Sequence, residues 1–121
     1  MTRSVLVVDD SASMRMMVAH TLTQSGFQVV ESHDGNDALE KLAKQKFQLV
    51  ITDLNMPKLD GIGLIKAIRA KPELRFMPVL MLTTEALQQR KLEGKAAGAT
   101  GWLVKPFNPE QLLQTIAKVV P

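Results

Sequence analysis

The chain has 121 residues, 45% of them hydrophobic and 22% charged, with no cysteine and a formal net charge of +3. That length supports one domain with a real core, and the missing thiols exclude a disulfide framework, a thiolate metal site and a cysteine nucleophile. Basic residues are scattered from Arg3 to Lys118 with no block of five like charges, which argues against nucleic-acid binding, and no apolar run is long enough to span a bilayer.

Met1-Thr2-Arg3-Ser4 leads directly into a strand-like run, with no signal-peptide core, so a cytoplasmic protein is expected. Val5-Leu6-Val7-Val8 is apolar on both faces, the pattern of a central parallel strand, and ends in Asp9-Asp10. Ser11 or Ser13 can cap a helix in which Met14, Met17, Val18, Thr21 and Leu22 recur at helical spacing until Gly26. Phe27 to Glu31 reads as a second strand. Asp34 caps a second helix with Ala38, Leu39, Leu42 and Ala43 on its apolar face, a spacing that outweighs the hairpin turn Asp34-Gly35 could form.

Leu49-Val50-Ile51-Thr52 then runs straight into Asp53, with Asn55 two residues on and Pro57 forbidding further pairing. Asp60 is the expected N-cap of a helix with Leu64, Ile65 and Ile68 inward and Pro72 as its stop. A fourth run, Val79-Leu80-Met81-Leu82, ends in Thr83-Thr84-Glu85. The segment from Ala86 to Gly98 is a poor helix. Leu87 and Leu92 share no clean face, and Gly94 costs about 1 kcal/mol relative to alanine, so this is the expected soft helix. Gly101 to Val104 forms a fifth strand before Lys105-Pro106-Phe107. The last helix carries Asn108 as cap, Pro109 at its first position, Gln111 completing a capping box, and Leu112, Leu113, Ile116, Ala117 and Val120 as its buried stripe.

Five strands alternating with five helices predict an α/β fold, a doubly wound parallel sheet with right-handed crossovers. In such sheets chemistry sits beyond the carboxyl ends of the strands. Asp9 and Asp10, Asp53, Thr83 and Lys105 end the first, third, fourth and fifth strands, so they converge on one edge. Each residue alone has an ordinary reading as cap, turn or solvated side chain; together they do not. Three close carboxylates need a cation or must take up protons. Oxygen ligands without histidine or cysteine select a hard ion, Mg²⁺ being the usual one. An ammonium, a hydroxyl and a metal around one carboxylate are parts suited to phosphoryl transfer, with the carboxylate as nucleophile.

Val7-Val8-Asp9-Asp10-Ser11, Asp53 with Met56-Pro57 and Asp60-Gly61, Thr83, and Lys105-Pro106-Phe107 resemble the response-regulator receiver family across the whole chain. The stretch Asp9-Asp10-Ser11-Ala12-Ser13-Met14-Arg15 is most similar to single-domain receivers of the chemotaxis (CheY-like) kind. The resemblance implies a flavodoxin-like sheet in the order 2-1-3-4-5, one receiver domain over 1–121 without an output domain, and a monomer. It implies phosphorylation of Asp53 by a histidine kinase of the CheA-like kind. Asp10, Asp53 and the backbone carbonyl of Asn55 would hold Mg²⁺, with Asp9 acting through water. Thr83 and Lys105 would contact the phosphoryl oxygens, and Lys105-Pro106 would be cis.

The resemblance also implies a downstream partner such as a flagellar motor switch protein, a possible phosphatase, and self-dephosphorylation tuned at Asn55 and Glu85. The switch aromatic of the family falls at Trp102, where it is usually tyrosine or phenylalanine. Thr84 stands where the family often has a smaller residue, and its bulk would restrict access to Asp53. His20 and His33 have no partners at ligand spacing. A Mg²⁺-dependent aspartyl phosphatase would need a second acid two residues after Asp53, where the chain has Asn55. A flavin-binding protein would need a phosphate-cradling loop where the chain has Asp9-Asp10, which repels phosphate. A receiver that binds partners without phosphorylation is the remaining alternative.

Overall fold

Five strands and five helices alternate in a computed structural model that describes residues 3–54, 56, 59–84 and 88–120. The strands are β1 (Ser4–Val8), β2 (Gln28–Ser32), β3 (Leu49–Asp53), β4 (Val79–Thr83) and β5 (Gly101–Val104). The helices are α1 (Ala12–Gln24), α2 (Gly35–Lys44), α3 (Gly61–Ala70), α4 (Gln88–Ala97) and α5 (Pro109–Val119), with a 3₁₀ turn at Pro72–Leu74 after α3. All strand pairs are parallel, and the order is β2-β1-β3-β4-β5. The alternation predicts the doubly wound parallel sheet, and the strand order is the flavodoxin-like one that the resemblance implies.

Every residue of β3 and β4 is buried, because helices cover both faces of the sheet. Side chains alternate across a strand, so the core splits in two. On one face Leu6, Val8, Val50 and Met81 pack with Ala38 and Leu42 of α2 and with Leu64, Ile65 and Ile68 of α3. On the other, Val5, Val7, Ile51, Leu80 and Leu82 pack with Val18 and Leu22 of α1 and with Leu112 and Ile116 of α5.

The caps form where the residue types call for them. Ser11, not Ser13, caps α1 by accepting from the Met14 amide at 3.3 Å. Asp34 and Asp60 accept from the amides of Asp37 and Gly63, each at 2.8 Å. Asn108 and Gln111 bond reciprocally at 2.8 and 2.9 Å, closing the capping box of α5.

Two details differ from the sequence reading. Ala43 and Ala117 are exposed rather than part of buried stripes, since a helix resting on a sheet buries a narrow line of positions that the edge residues miss. Val119 packs where Ala117 was expected, near Gly101, where an added Cβ would meet its Cγ1 at 2.9 Å. Among residues 91–97 of α4, Leu92 is 54% exposed and the buried positions are Gly94 and Ala97, in keeping with the lack of a clean apolar face. Glu85, Ala86 and Leu87 lie outside the described residues. The Lys105–Pro106 peptide is cis. No helix among the described residues is long and apolar enough to cross a membrane.

Candidate functional site at the carboxyl edge of the sheet

The register of the sheet assembles the site. β1 and β3 are neighbours with Val8 opposite Thr52, so Asp9, one residue past β1, falls beside Asp53. Asp53 is opposite Leu82 in β4, and Thr83 is opposite Val104 in β5, which puts Lys105 one step beyond the edge. The Lys105 amide donates to the Thr83 carbonyl at 2.7 Å and extends that pairing.

Lys105 Nζ lies 3.2 Å from Asp53 Oδ1 and 3.4 Å from Asp9 Oδ2. Carboxylate oxygens of Asp9, Asp10 and Asp53 all lie within 4.8 Å of one another. Asp9 is 1% exposed and Asp53 7%, whereas Asp10 faces solvent. Thr83 is fully buried. One ammonium therefore serves two buried carboxylates while a third stands at the mouth.

Burial pushes the Asp53 carboxyl above its ordinary range, and the charges of Asp9 and Asp10 add to this; Lys105 opposes without overcoming it. The sign of the linkage follows. Below the ordinary carboxylate range Asp53 is neutral in folded and unfolded chains alike and carries no penalty. As the pH rises through the raised value, the folded state must hold a poorly solvated carboxylate, and stability is lost.

The chain is held tightly around Asp53. The Leu54 amide donates to the Leu82 carbonyl at 2.8 Å, and the Gly61 amide to the Leu54 carbonyl at 2.9 Å. A Cβ at Gly61 would come within 2.3 Å of the Asp53 carbonyl oxygen, so the start of α3 can close on the end of β3 only with glycine there.

Arg15 was missed as a site residue by sequence reasoning. Its Nη1 donates to the Asp9 carbonyl at 2.7 Å, and its Nε to Glu31 Oε1 at 3.1 Å. The Ser11 amide donates to Asp9 Oδ1 at 2.9 Å. Together these fix the turn that presents Asp9. The available signal was that an arginine in the first turn of a helix points back towards its N-terminus.

Trp102 is 37% exposed on β5 with Met81 as its Cα partner, and Lys91 Nζ lies 5.9 Å from the ring centroid. Thr84 is exposed. Asn55 and Glu85 lie outside the described residues. His20 is exposed. His33 does find partners, Asp34 at 3.3 Å and Asp37 at 3.7 Å, at the start of α2 rather than in the site. Asp37 also pairs with Lys41 at 2.9 Å, and that contact chiefly holds its carboxyl below the ordinary range.

The sequence model described as the response regulator receiver domain matches residues 5–117. Chemotaxis protein CheY-3 of Vibrio cholerae is 43% identical over 116 residues, which are 95% of this chain and 89% of that protein. Chemotaxis protein CheY of Pseudomonas aeruginosa is 40% identical over 116 residues, 95% of this chain and 94% of that one. The solved structure of Vibrio cholerae chemotaxis protein CheY4 superposes with a TM-score of 0.96 at 51% identity, covering 99% of this chain and 100% of the other.

Proposed function

The chain belongs to the response regulator receiver family, and on that premise we propose that Asp53 accepts a phosphoryl group from a histidine kinase and that the phosphorylated protein signals by binding a partner in a chemotaxis or motility pathway. The observation that carries this reading is the placement of Lys105 between Asp53 and Asp9 at 3.2 and 3.4 Å. A fixed ammonium beside a buried carboxylate is positioned for the oxygens of an incoming phosphoryl group.

In the step itself an Asp53 oxygen forms a bond to phosphorus as the phosphorus–nitrogen bond of the donor's phosphohistidine breaks. The electron pair of that bond leaves with the imidazole. Lys105 orients the acceptor and meets the transferred charge. Arg15 and the Ser11 amide hold Asp9 in place. Thr83, at the end of β4, offers a hydroxyl on the other side. The protein is thus a signalling switch that takes part in its own phosphoryl transfer and self-dephosphorylation, rather than an enzyme acting on a separate substrate.

Three carboxylates with oxygens within 4.8 Å, and no histidine or cysteine among them, form a donor set that suits Mg²⁺. Asp9, Asp10 and Asp53 would hold the ion, with the Asn55 carbonyl as a further donor. Bound there, Mg²⁺ neutralises carboxylate and phosphoryl charge. Burial raises the Asp53 pKa and the charges of Asp9 and Asp10 add to it; that uncompensated negative charge is the physical reason for the site to take a cation.

The output would run through Thr83 and Trp102. Movement of Thr83 towards the phosphoryl oxygens would open space beneath β5, and Trp102 would turn from solvent into it. Its contact with Lys91 ties that motion to α4, so the surface formed by α4 and β5 would change with it.

Intact-mass spectrometry after incubation with acetyl phosphate and Mg²⁺ tests the assignment. Wild type should gain one base-labile phosphoryl group and Asp53→Asn none; equal labelling of the two would refute it. In parallel samples with beryllofluoride, the emission of Trp102, the single tryptophan, should shift or quench, and Thr83→Ala should blunt that response.

A further inference from the structure

The opposite end of the sheet has a different character. Between the end of α2, the start of β3 and the 3₁₀ turn lies a cavity of about 580 Å³. Its apolar walls are Leu42, Phe47, Leu74 and Met77. At about 3.3 Å per residue, the length of β3 separates it from Asp53, so it is no part of the phosphoacceptor site.

Two further observations bear on what fills it. Next to Met77 in the chain, Phe76 is 84% exposed, with the Arg75 guanidinium carbon 5.0 Å from its ring centroid. Phe76 directly precedes Met77, which lines the cavity, and so adds apolar area at its rim. Lys44 and Lys46 line the cavity, and Lys71 and Arg75 flank Leu74 on the turn. None of these four cations is in an ion pair among the described residues. Glu73 is the one acidic side chain in the lining. Lys44 and Lys71 complement the C-termini of α2 and α3, but Lys46 and Arg75 lie outside both helices.

We propose that this end of the molecule is a docking surface for an acidic protein segment that seats one large apolar side chain among Leu42, Phe47, Leu74 and Met77. Carboxylates flanking that anchor meet Lys44, Lys46, Lys71 and Arg75, and Phe76 extends the apolar contact at the rim. Apolar burial supplies the hold, and charge supplies the choice of partner and the speed of encounter. A nucleic acid would use the cations but leave the cavity unfilled. The surface needs no phosphoryl group on Asp53, so it would keep a partner bound while the other end switches.

The test uses fluorescein-labelled peptides of about twelve residues, rich in glutamate around a central phenylalanine. Controls replace the phenylalanine with serine or every glutamate with lysine. Fluorescence anisotropy should show saturable binding of the first peptide alone. Amide shifts in nitrogen-15 spectra should concentrate at residues 42–48 and 71–77. The double variant Lys46→Glu, Arg75→Glu changes only exposed side chains and should weaken binding at least tenfold. Asp53→Asn should leave it unchanged, which separates this surface from the phosphoacceptor reading. Equal binding of the serine control, tighter binding of a single-stranded oligonucleotide, shifts mapping to α4 and β5, or self-association of the protein through these residues would each overturn the proposal.

Discussion

Helices α4 and α5 both lie beside β5, yet the chain anchors them in opposite ways. α5 opens with a reciprocal capping box and buries Leu112 and Ile116 against β-branched and leucine side chains of the sheet. In the described part of α4 the buried positions are Gly94 and Ala97, and Leu92 points to solvent. A helix held by two small residues loses little apolar burial when it moves; one held by leucine and isoleucine loses much. α4 has a second tether at its far end. Arg69 in α3 donates from Nε and Nη2 to the Gly98 carbonyl at 3.0 and 2.8 Å. That contact ties the C-terminal end of α4 to α3. The contrast gives a physical basis for assigning the fixed frame to α5 and the moving part to α4.

The largest expected effect comes from making one substitution in both helices. Leu112→Ala should cost about 2–5 kcal/mol of stability, because it opens a cavity in a fully buried position. Leu92→Ala should stay within about 0.5 kcal/mol, as for other surface changes. Urea denaturation of the two variants reads this directly, and equal losses would remove the distinction.

The next test sharpens the reading of Gly94. An added Cβ there would meet Met81 Cε and Sδ at 2.6 and 2.7 Å, and Met81 is fully buried. Gly94→Ala gains about 1 kcal/mol of helix propensity but crowds the core, an effect of about 1–3 kcal/mol. The atoms met are the flexible end of Met81, so the crowding falls at the low end of that range and the two effects nearly cancel in wild type. In a Met81→Ala background the clash is gone, and the same substitution should stabilise. A double-mutant cycle measures this coupling; additive effects would mean that Gly94 is simply a weak helix residue.

The last test concerns the cap. Asn108→Ala should cost about 1 kcal/mol, the usual value of an N-cap. The loss should appear as fraying of α5 in amide exchange and leave the beryllofluoride response of Trp102 intact. A lost response would make α5 part of the moving element.

Much of the molecule was legible in the chain itself. The strands announced themselves by short apolar runs ending in polar residues, and the helices by caps at Ser11 or Ser13, Asp34, Asp60 and Asn108 with helical spacing behind them. These are signals carried within a few residues, where backbone geometry and side-chain chemistry act directly on each other. Helix edges such as Ala43 and Ala117 misled, because period alone does not say how wide a stripe the sheet will cover.

The sequence by itself also determined which residues end the strands, and so which groups could meet: Asp9, Asp10, Asp53, Thr83 and Lys105. Only the tertiary structure decided that they do meet. Lys105 and Asp9 are 96 residues apart in the chain and 3.4 Å apart in space, a proximity set by strand order and register. It alone decided that Arg15 clasps the Asp9 carbonyl, that Arg69 holds the end of α4, and that Gly94 is a contact with Met81 rather than a flaw. It also decided the raised pKa of Asp53, since desolvation depends on what the whole fold packs around a carboxyl group and on no single neighbour in the chain.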